Sequence, residues 1–218
     1  MQLQIPCKGI KMKSKDYFEE VAPQWDRLRE SFFSNAVRVK ALTVANVHPG
    51  RVAADIGCGT GFITEGLVQR GLKVIAVDGS EAMLSEMKQK FAGMDTIDYR
   101  LGEAGSLPIP DETVDYAFAN MYLHHVQAPS QAILEMARII KPGGILVITD
   151  LDQHGNEFLR REHNDRWMGF VRDDIRRWLH EAGLRDISVG CAGENCCATS
   201  SCGSKRAEIS IFVASGIR

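Results

Sequence analysis

The chain has 218 residues, a net charge of −2, 44% hydrophobic and 25% charged residues. That length suits one domain with a substantial core, and so mild a charge argues against a polyanion-binding surface and hence against direct nucleic-acid recognition. No apolar run reaches membrane-spanning length, so membrane insertion is not expected.

The N-terminus carries a short basic arm (Lys8, Lys11, Lys13, Lys15) and no hydrophobic signal core. Six cysteines without an export signal predict reduced thiols in a cytoplasmic protein. Residues 14–47 read as helices, because Phe18, Val21, Ala22 and Trp25 recur at helical spacing and a second run covers 35–47. Pro49 and Gly50 separate this N-terminal helical cap, residues 1–48, from a main domain over 49–218.

That domain opens with a compact apolar strand at 52–56, then Asp55, Gly57, Gly59 and Gly61 alternate before a helix over 62–70 stopped by Gly71. Glycines let a ligand approach the backbone where a side chain would block it. The dinucleotide fingerprint would place its third glycine where Phe62 stands. An acid just before the first glycine repels a pyrophosphate but suits a ligand carrying an ammonium. S-adenosylmethionine (SAM) has an ammonium and a sulfonium and no phosphate. A β-branched strand at 73–78 ends in Asp78, which lies 21 residues after Gly57, the spacing that brings a carboxylate to ribose hydroxyls. A surface acid that merely follows a strand is the alternative.

Ser80 is placed to N-cap a helix running to about Phe91. Strands follow at 97–101 and 114–119. Pro129 begins a helix that ends at the Lys-Pro-Gly-Gly run 141–144, and a fifth strand covers 145–150. Residues 151–171 are polar and irregular and read as an insertion. A helix over 173–182 is capped by Gly183. Two strands, 187–191 and 208–214, close the chain with a connection too short for a crossover helix, so they form an antiparallel hairpin. The predicted fold is α/β: a Rossmann-like, doubly wound, mostly parallel seven-stranded sheet with a C-terminal antiparallel hairpin and the helical cap.

Over roughly residues 16–216 the chain resembles the class I SAM-dependent methyltransferases. The matching residues are the run from Asp55 to Gly61, Asp78-Gly79-Ser80, Gly102-Glu103-Ala104 with Leu107-Pro108, and the run 141–144. Within that class, Phe18, Val21-Ala22-Pro23, Trp25-Asp26 and Leu123-His124-His125 are similar to the ubiquinone and menaquinone biosynthesis group. The segment from Asp150 to Phe170 resembles methyltransferase halves attached to arsenic-type repressors. The resemblance implies that Asp55, Gly57 and Gly59 line the methionine part of SAM, that Asp78 binds its ribose and that Met83 packs on adenine. It implies that Glu103 and the Ala104 amide approach the adenine edge, while Asn120 and Met121 face the sulfonium. Cys58, Gly79 and His125 complete the expected cofactor-lining set. The group usually has Asp where Glu103 stands.

Methyl transfer from a sulfonium requires alignment, exclusion of water and, for some acceptors, removal of a proton. His124 and His125 follow the fourth strand at the ligand-binding edge and are candidate bases, as is His154 in the insertion, where His163, Asp150 and Asp152 also lie. Pocket-wall or loop histidines are the alternative. Cys191, Cys196, Cys197 and Cys202 fall within twelve residues and are expected in a hairpin loop near the substrate mouth. Thiolates there suit a thiophilic metal or a trivalent metalloid, although the spacing is not the common zinc pattern; small buried cysteines in a turn are the other reading. The sequence therefore predicts methyl transfer from SAM to a small-molecule acceptor. The alternatives are methylation of a metalloid or thiol held by the cysteines, and a SAM- or metal-responsive binding protein without turnover. A homodimer is compatible with either.

Overall fold

A computed structural model describes residues 14–200 and 203–218. Lys8, Lys11, Lys13 and Cys202, singled out above, lie outside the described residues. Seven strands form one sheet: β1 (Val52–Ile56), β2 (Lys73–Asp78), β3 (Ile97–Leu101), β4 (Val114–Asn120), β5 (Ile140–Leu151), β6 (Arg185–Thr199) and β7 (Arg206–Ile217). Their spatial order is β3-β2-β1-β4-β5-β7-β6. The first five pair in parallel, and β7 runs antiparallel to both neighbours, as the expected terminal hairpin requires.

Parallel strands covered by helices on both faces carry apolar side chains on both sides. Ala53, Val74, Ala76, Phe118 and Val147 point to one face. There they meet α3 (Ala36–Val44), α4 (Phe62–Val68) and α5 (Glu81–Lys90). Ala54, Ile75, Val77, Ala117 and Ile148 point to the other face, against α6 (Pro129–Arg138) and α8 (Arg172–Glu181). Ser80 caps α5 as its position predicts, accepting the Met83 amide at 3.1 Å.

Above the carboxyl ends of β1 and β2 lie α1 (Ser14–Val21) and α2 (Trp25–Phe32), joined by a turn of 3₁₀ helix at Ala22–Gln24. Side chains fasten them there. Glu19 accepts the Glu81 and Ala82 amides at 2.9 and 3.2 Å, which caps α5 from outside. Asp26 accepts the Thr60 hydroxyl at 2.5 Å and pairs with Lys90 at 2.9 Å.

Three expectations are corrected. The run 141–144 does not end a helix, since α6 stops at Arg138 and β5 already starts at Ile140. Val114 pairs with Ile140 and Tyr116 with Ile145, so the glycines bulge out between two ladder pairs. A Cβ on Gly144 would stand 2.6 Å from the Asp115 carbonyl oxygen. Within 151–171 the chain is partly regular, with α7 at Glu157–Glu162. Thirdly, the cysteines are not in a loop. β6 continues through them for 15 residues, with Cys191 opposite Phe212, Cys196 opposite Ile209 and Cys197 opposite Glu208. Successive strand residues face opposite ways: Cys196 is buried in the core while Cys197 is half-exposed and Cys191 exposed. Among the described residues no cysteine joins a group of converging ligand atoms.

Candidate functional site

The turn after β1 is shaped by backbone geometry that side chains oppose. Gly57, Gly59 and Gly61 all have positive φ (67°, 53° and 91°). The Gly57 and Cys58 amides are both held by the Val77 carbonyl, at 2.8 and 3.1 Å. Asp78, at the end of β2, accepts the Gly59 amide on one oxygen at 2.8 Å and the Ser80 amide on the other at 2.9 Å. It ties the glycine turn to the next βα connection. Burial raises its pKa, and these amides offset part of that rise. Asp55 lies beneath, 1% exposed, and accepts both the Thr64 amide (3.0 Å) and hydroxyl (2.7 Å) on Oδ2. Burial outweighs those bonds, and its pKa is pushed up to about 7.

Asp55, Gly57, Cys58, Gly59, Asp78 and Met83 line a cleft of about 600 Å³ that is open to solvent. Asn120, Met121 and His125 reach it from the end of β4. The other predicted residues, Gly79, Glu103 and Ala104, sit one step aside. A Cβ on Gly79 would be 3.9 Å from the Glu103 side chain, and the Ala104 amide bonds the Tyr122 hydroxyl. Met121 has a φ of +50°, which a non-glycine residue adopts only when its surroundings enforce it. The Thr149 carbonyl does so by accepting its amide at 2.8 Å.

Tyr122 and Arg29 are among the cavity residues that the sequence did not point to. Tyr122 lays its ring against Gly57, where a Cβ would come within 2.2 Å of it. Arg29 of α2 is buried against Phe62, its guanidinium carbon 4.3 Å from the ring centroid. Its Nε has no hydrogen-bond partner. A buried cation with an unbonded N–H beside a cavity is suited to an anionic group. Neither position carries a sequence motif. Arg29 falls on the buried side of an amphipathic helix, where a cation is out of pattern, and that was the available signal.

A second cavity, about 500 Å³, adjoins the first, sharing Phe18, Trp25, Phe33, Met121 and His125. Tyr17, Phe32, Leu151 and Leu159 give it an apolar wall, with His124, His163, Asp165 and Cys196 as its polar side. His124 is buried, and its Nδ1 bonds Asp150 at 2.7 Å. Burial lowers its pKa, but the charge and hydrogen bond of Asp150, with Asp165 beyond, push it up to about 9. His125 is the reverse: burial and the neighbouring His124 hold it well below the usual histidine range, so it is neutral. His163 is neutral for the same first reason, meets the Tyr17 hydroxyl through Nδ1 at 3.3 Å and has a buried Nε2 with no partner. His154 lines neither cavity; its Nδ1 accepts the Asn156 amide at 3.2 Å. The 151–171 segment is clamped to the site, because the Arg166 and Trp167 amides both donate to the His124 carbonyl at 3.0 Å.

With this geometry in hand, known proteins supply the classification. Residues 54–148 match the model of a methyltransferase domain family. A demethylmenaquinone methyltransferase of Staphylococcus aureus is 34% identical, over 84% of this chain and 89% of its own length. The chain belongs to the class I SAM-dependent methyltransferases. The malonyl-[acyl-carrier protein] O-methyltransferase of Yersinia pestis is 28% identical over 78% of this chain and 70% of its own. For several other curated relatives the chain spans between 41% and 59% of their length. A phosphoethanolamine N-methyltransferase of Haemonchus contortus, solved with S-adenosylhomocysteine, shares the fold at a TM-score of 0.77 and 15% identity, over 95% of this chain and 60% of that one. This methyltransferase has no helix among its described residues long and apolar enough to cross a membrane.

Proposed function

We propose that the first cavity holds SAM and the adjoining aromatic cavity a small-molecule methyl acceptor. The observation that carries this is the set of charged groups around the glycine turn. Two acids, Asp55 and Asp78, stand where the turn exposes backbone, and Arg29, whose Nη2 is 3.7 Å from Glu30 but whose Nε–H is unbonded, stands across the cavity. SAM's amino-acid end presents an ammonium and a carboxylate, so Asp55 fits the first and Arg29 the second. Asp78 accepts the backbone amides of Gly59, Ser80 and Gly79, and the lone-pair capacity left on its carboxylate is available to the ribose hydroxyls. Met83 offers an apolar face to adenine, with Glu103 and the Ala104 amide at its edge, and Gly57, Cys58, Gly59 and Gly79 keep the floor low. Asn120 and Met121 face the sulfonium side.

When bound, SAM supplies an electrophilic methyl on a good leaving group. The chain's own task is placement and proton removal. His125 stands at the junction of the two cavities and orients the acceptor. His124, held charged by Asp150, fixes that wall. His163 offers a neutral Nε2 lone pair inside the acceptor cavity and accepts the proton that a hydroxyl or thiol acceptor loses. His154 supports the segment without touching either cavity. Demethylmenaquinone, malonyl-carrier and phosphoethanolamine enzymes among the relatives all act on acceptors other than nucleic acid by their names, which favours a small acceptor here.

The test is incubation of the protein with methyl-labelled SAM and fractionated cell extract. Label in the small-molecule fraction, absent with Asp78→Ala, is the expected result. Label only in macromolecules, or none in any fraction, overturns the reading.

A further inference from the structure

The wall of the acceptor cavity contains ring nitrogens that the protein leaves unsatisfied. Nδ1 of His125 is buried with no hydrogen-bond partner, while the ring's other nitrogen serves the Asn164 backbone. A buried polar atom without a partner is destabilising, and the ordinary explanation is a bound water, ion or ligand. Beside it, one ring nitrogen each from His124 and His125 and a carboxylate oxygen of Asp165 lie within 4.8 Å of one another. Nε2 of His124 is 3.8 Å from the Asp165 oxygen. Ligands bound at about 2.0–2.2 Å around one ion are separated by roughly 3–4 Å, so small side-chain rotations close this set on a single centre.

The surroundings are arranged as a ligand set requires. Asp150 bonds Nδ1 of His124 at 2.7 Å, which fixes the ring and turns Nε2 toward Asp165. A carboxylate behind the histidine is the usual support of a metal-ligating imidazole. Asp165 is held in register with His124 by the adjacent Arg166 amide on the His124 carbonyl. All three groups line the same cavity, so a position opposite them opens onto the acceptor space. Two imidazoles and one carboxylate suit first-row transition ions and zinc, whereas magnesium and calcium take oxygen sets.

We propose that His124, His125 and Asp165 bind one divalent ion of the zinc, iron(II) or cobalt(II) type in the wall of the acceptor cavity, the ion displacing the Nε2 proton of His124 to solvent and leaving one coordination position for an acceptor oxygen or sulfur. None of the three ligands is a cysteine of β6. Three protein ligands and one open position are the layout of catalytic ions, and an ion so placed lowers the pKa of the heteroatom bound to it. The acceptor's part in this rests on the methyl-transfer reading; ion binding itself does not.

The experiment uses the full chain, stripped with chelator and titrated with Co²⁺, read by its visible ligand-field absorption and by calorimetry, with Zn²⁺ as competitor. One Co²⁺ per chain, displaced by Zn²⁺, is expected. Asp165→Asn and His125→Gln should each weaken Co²⁺ at least tenfold, and Cys191→Ser, an exposed position that lines neither cavity, should leave it unchanged. Thermal melts identify any variant that fails to fold, and either folded variant suffices. No stoichiometric Co²⁺, unchanged affinity in a folded ligand variant, or loss of the ion in Cys191→Ser overturns the proposal. S-adenosylhomocysteine is titrated into the same samples. If it binds and Co²⁺ does not, the ion site alone is wrong. If Co²⁺ binds and S-adenosylhomocysteine does not, the cofactor reading fails and the ion site stands.

Discussion

Asp55→Asn separates the stability of this fold from its function. The Asp55 carboxyl is 1% exposed, and its pKa rises from 3.8 to about 7 because burial disfavours the charged form. A raised acid pKa means the folded chain binds a proton more tightly than the unfolded one, so stability falls as pH climbs from 3.8 to 7 and is level above it. Each pH unit in that window is worth about 1.4 kcal/mol. Asparagine keeps the volume and an acceptor for the Thr64 amide and hydroxyl, and has nothing to ionise. In ligand-free protein the variant should gain on the wild type by about 2 kcal/mol between pH 5 and pH 7, with the gap levelling off about one pH unit higher. For a chain of this length that is a relative rise of about 4–8 °C in melting temperature. The same variant should bind S-adenosylhomocysteine at least tenfold more weakly at pH 8, since an amide cannot pair with the ammonium. Thermal unfolding at several pH values and calorimetry read the two effects. A gap that does not change with pH refutes the burial argument, and unchanged affinity removes Asp55 from the cofactor site.

Asp78→Ala removes an anchor of the glycine turn as well as the ribose contact, so it should lower stability by about 1–3 kcal/mol and weaken S-adenosylhomocysteine at least tenfold, measured by calorimetry on the folded variant. Gly57→Val combines a φ of +67° with a collision against the Tyr122 ring, and it should destabilise the fold measurably in a denaturant titration as well as abolish cofactor binding. Arg29→Met keeps the packing against Phe62 and loses the cation, so cofactor affinity should fall about tenfold or more with little change in melting temperature. His163→Phe should cut turnover of a hydroxyl or thiol acceptor by about 100-fold or more while calorimetry finds cofactor affinity unchanged.

The parallel half of the sheet was legible because its signals are local. Apolar runs at 52–56, 73–78 and 114–119 are bounded by glycine, proline or a capping serine, and the structure places β1, β2 and β4 there. The length of β6 was not legible. Gly190, Gly193, Glu194 and Asn195 are poor strand formers, and only the ladder to β7, interrupted by a bulge between Cys191 and Asn195, carries the chain through them. The error about the cysteines follows from that one misjudged boundary, because a strand sends Cys196 and Cys197 to opposite faces. The start of β5 was hidden in the same way behind Pro142 and two glycines that bulge out of the ladder. At the site, the acids and glycines stand close in sequence and could be read as a motif. Tyr122, Arg29 and the convergence of His124 with Asp165 arise from folding a cap and a later segment over the sheet edge, and no spacing rule reports them.

A structure of the protein with S-adenosylhomocysteine decides whether the cavity above the glycine turn is a SAM site. The ribose hydroxyls are expected on Asp78, the amino-acid carboxylate on Arg29 and the Tyr122 ring turned away from Gly57 to admit the ligand. A ligand bound elsewhere on the chain, or a cavity still filled by Tyr122 at saturating ligand, would contradict that assignment.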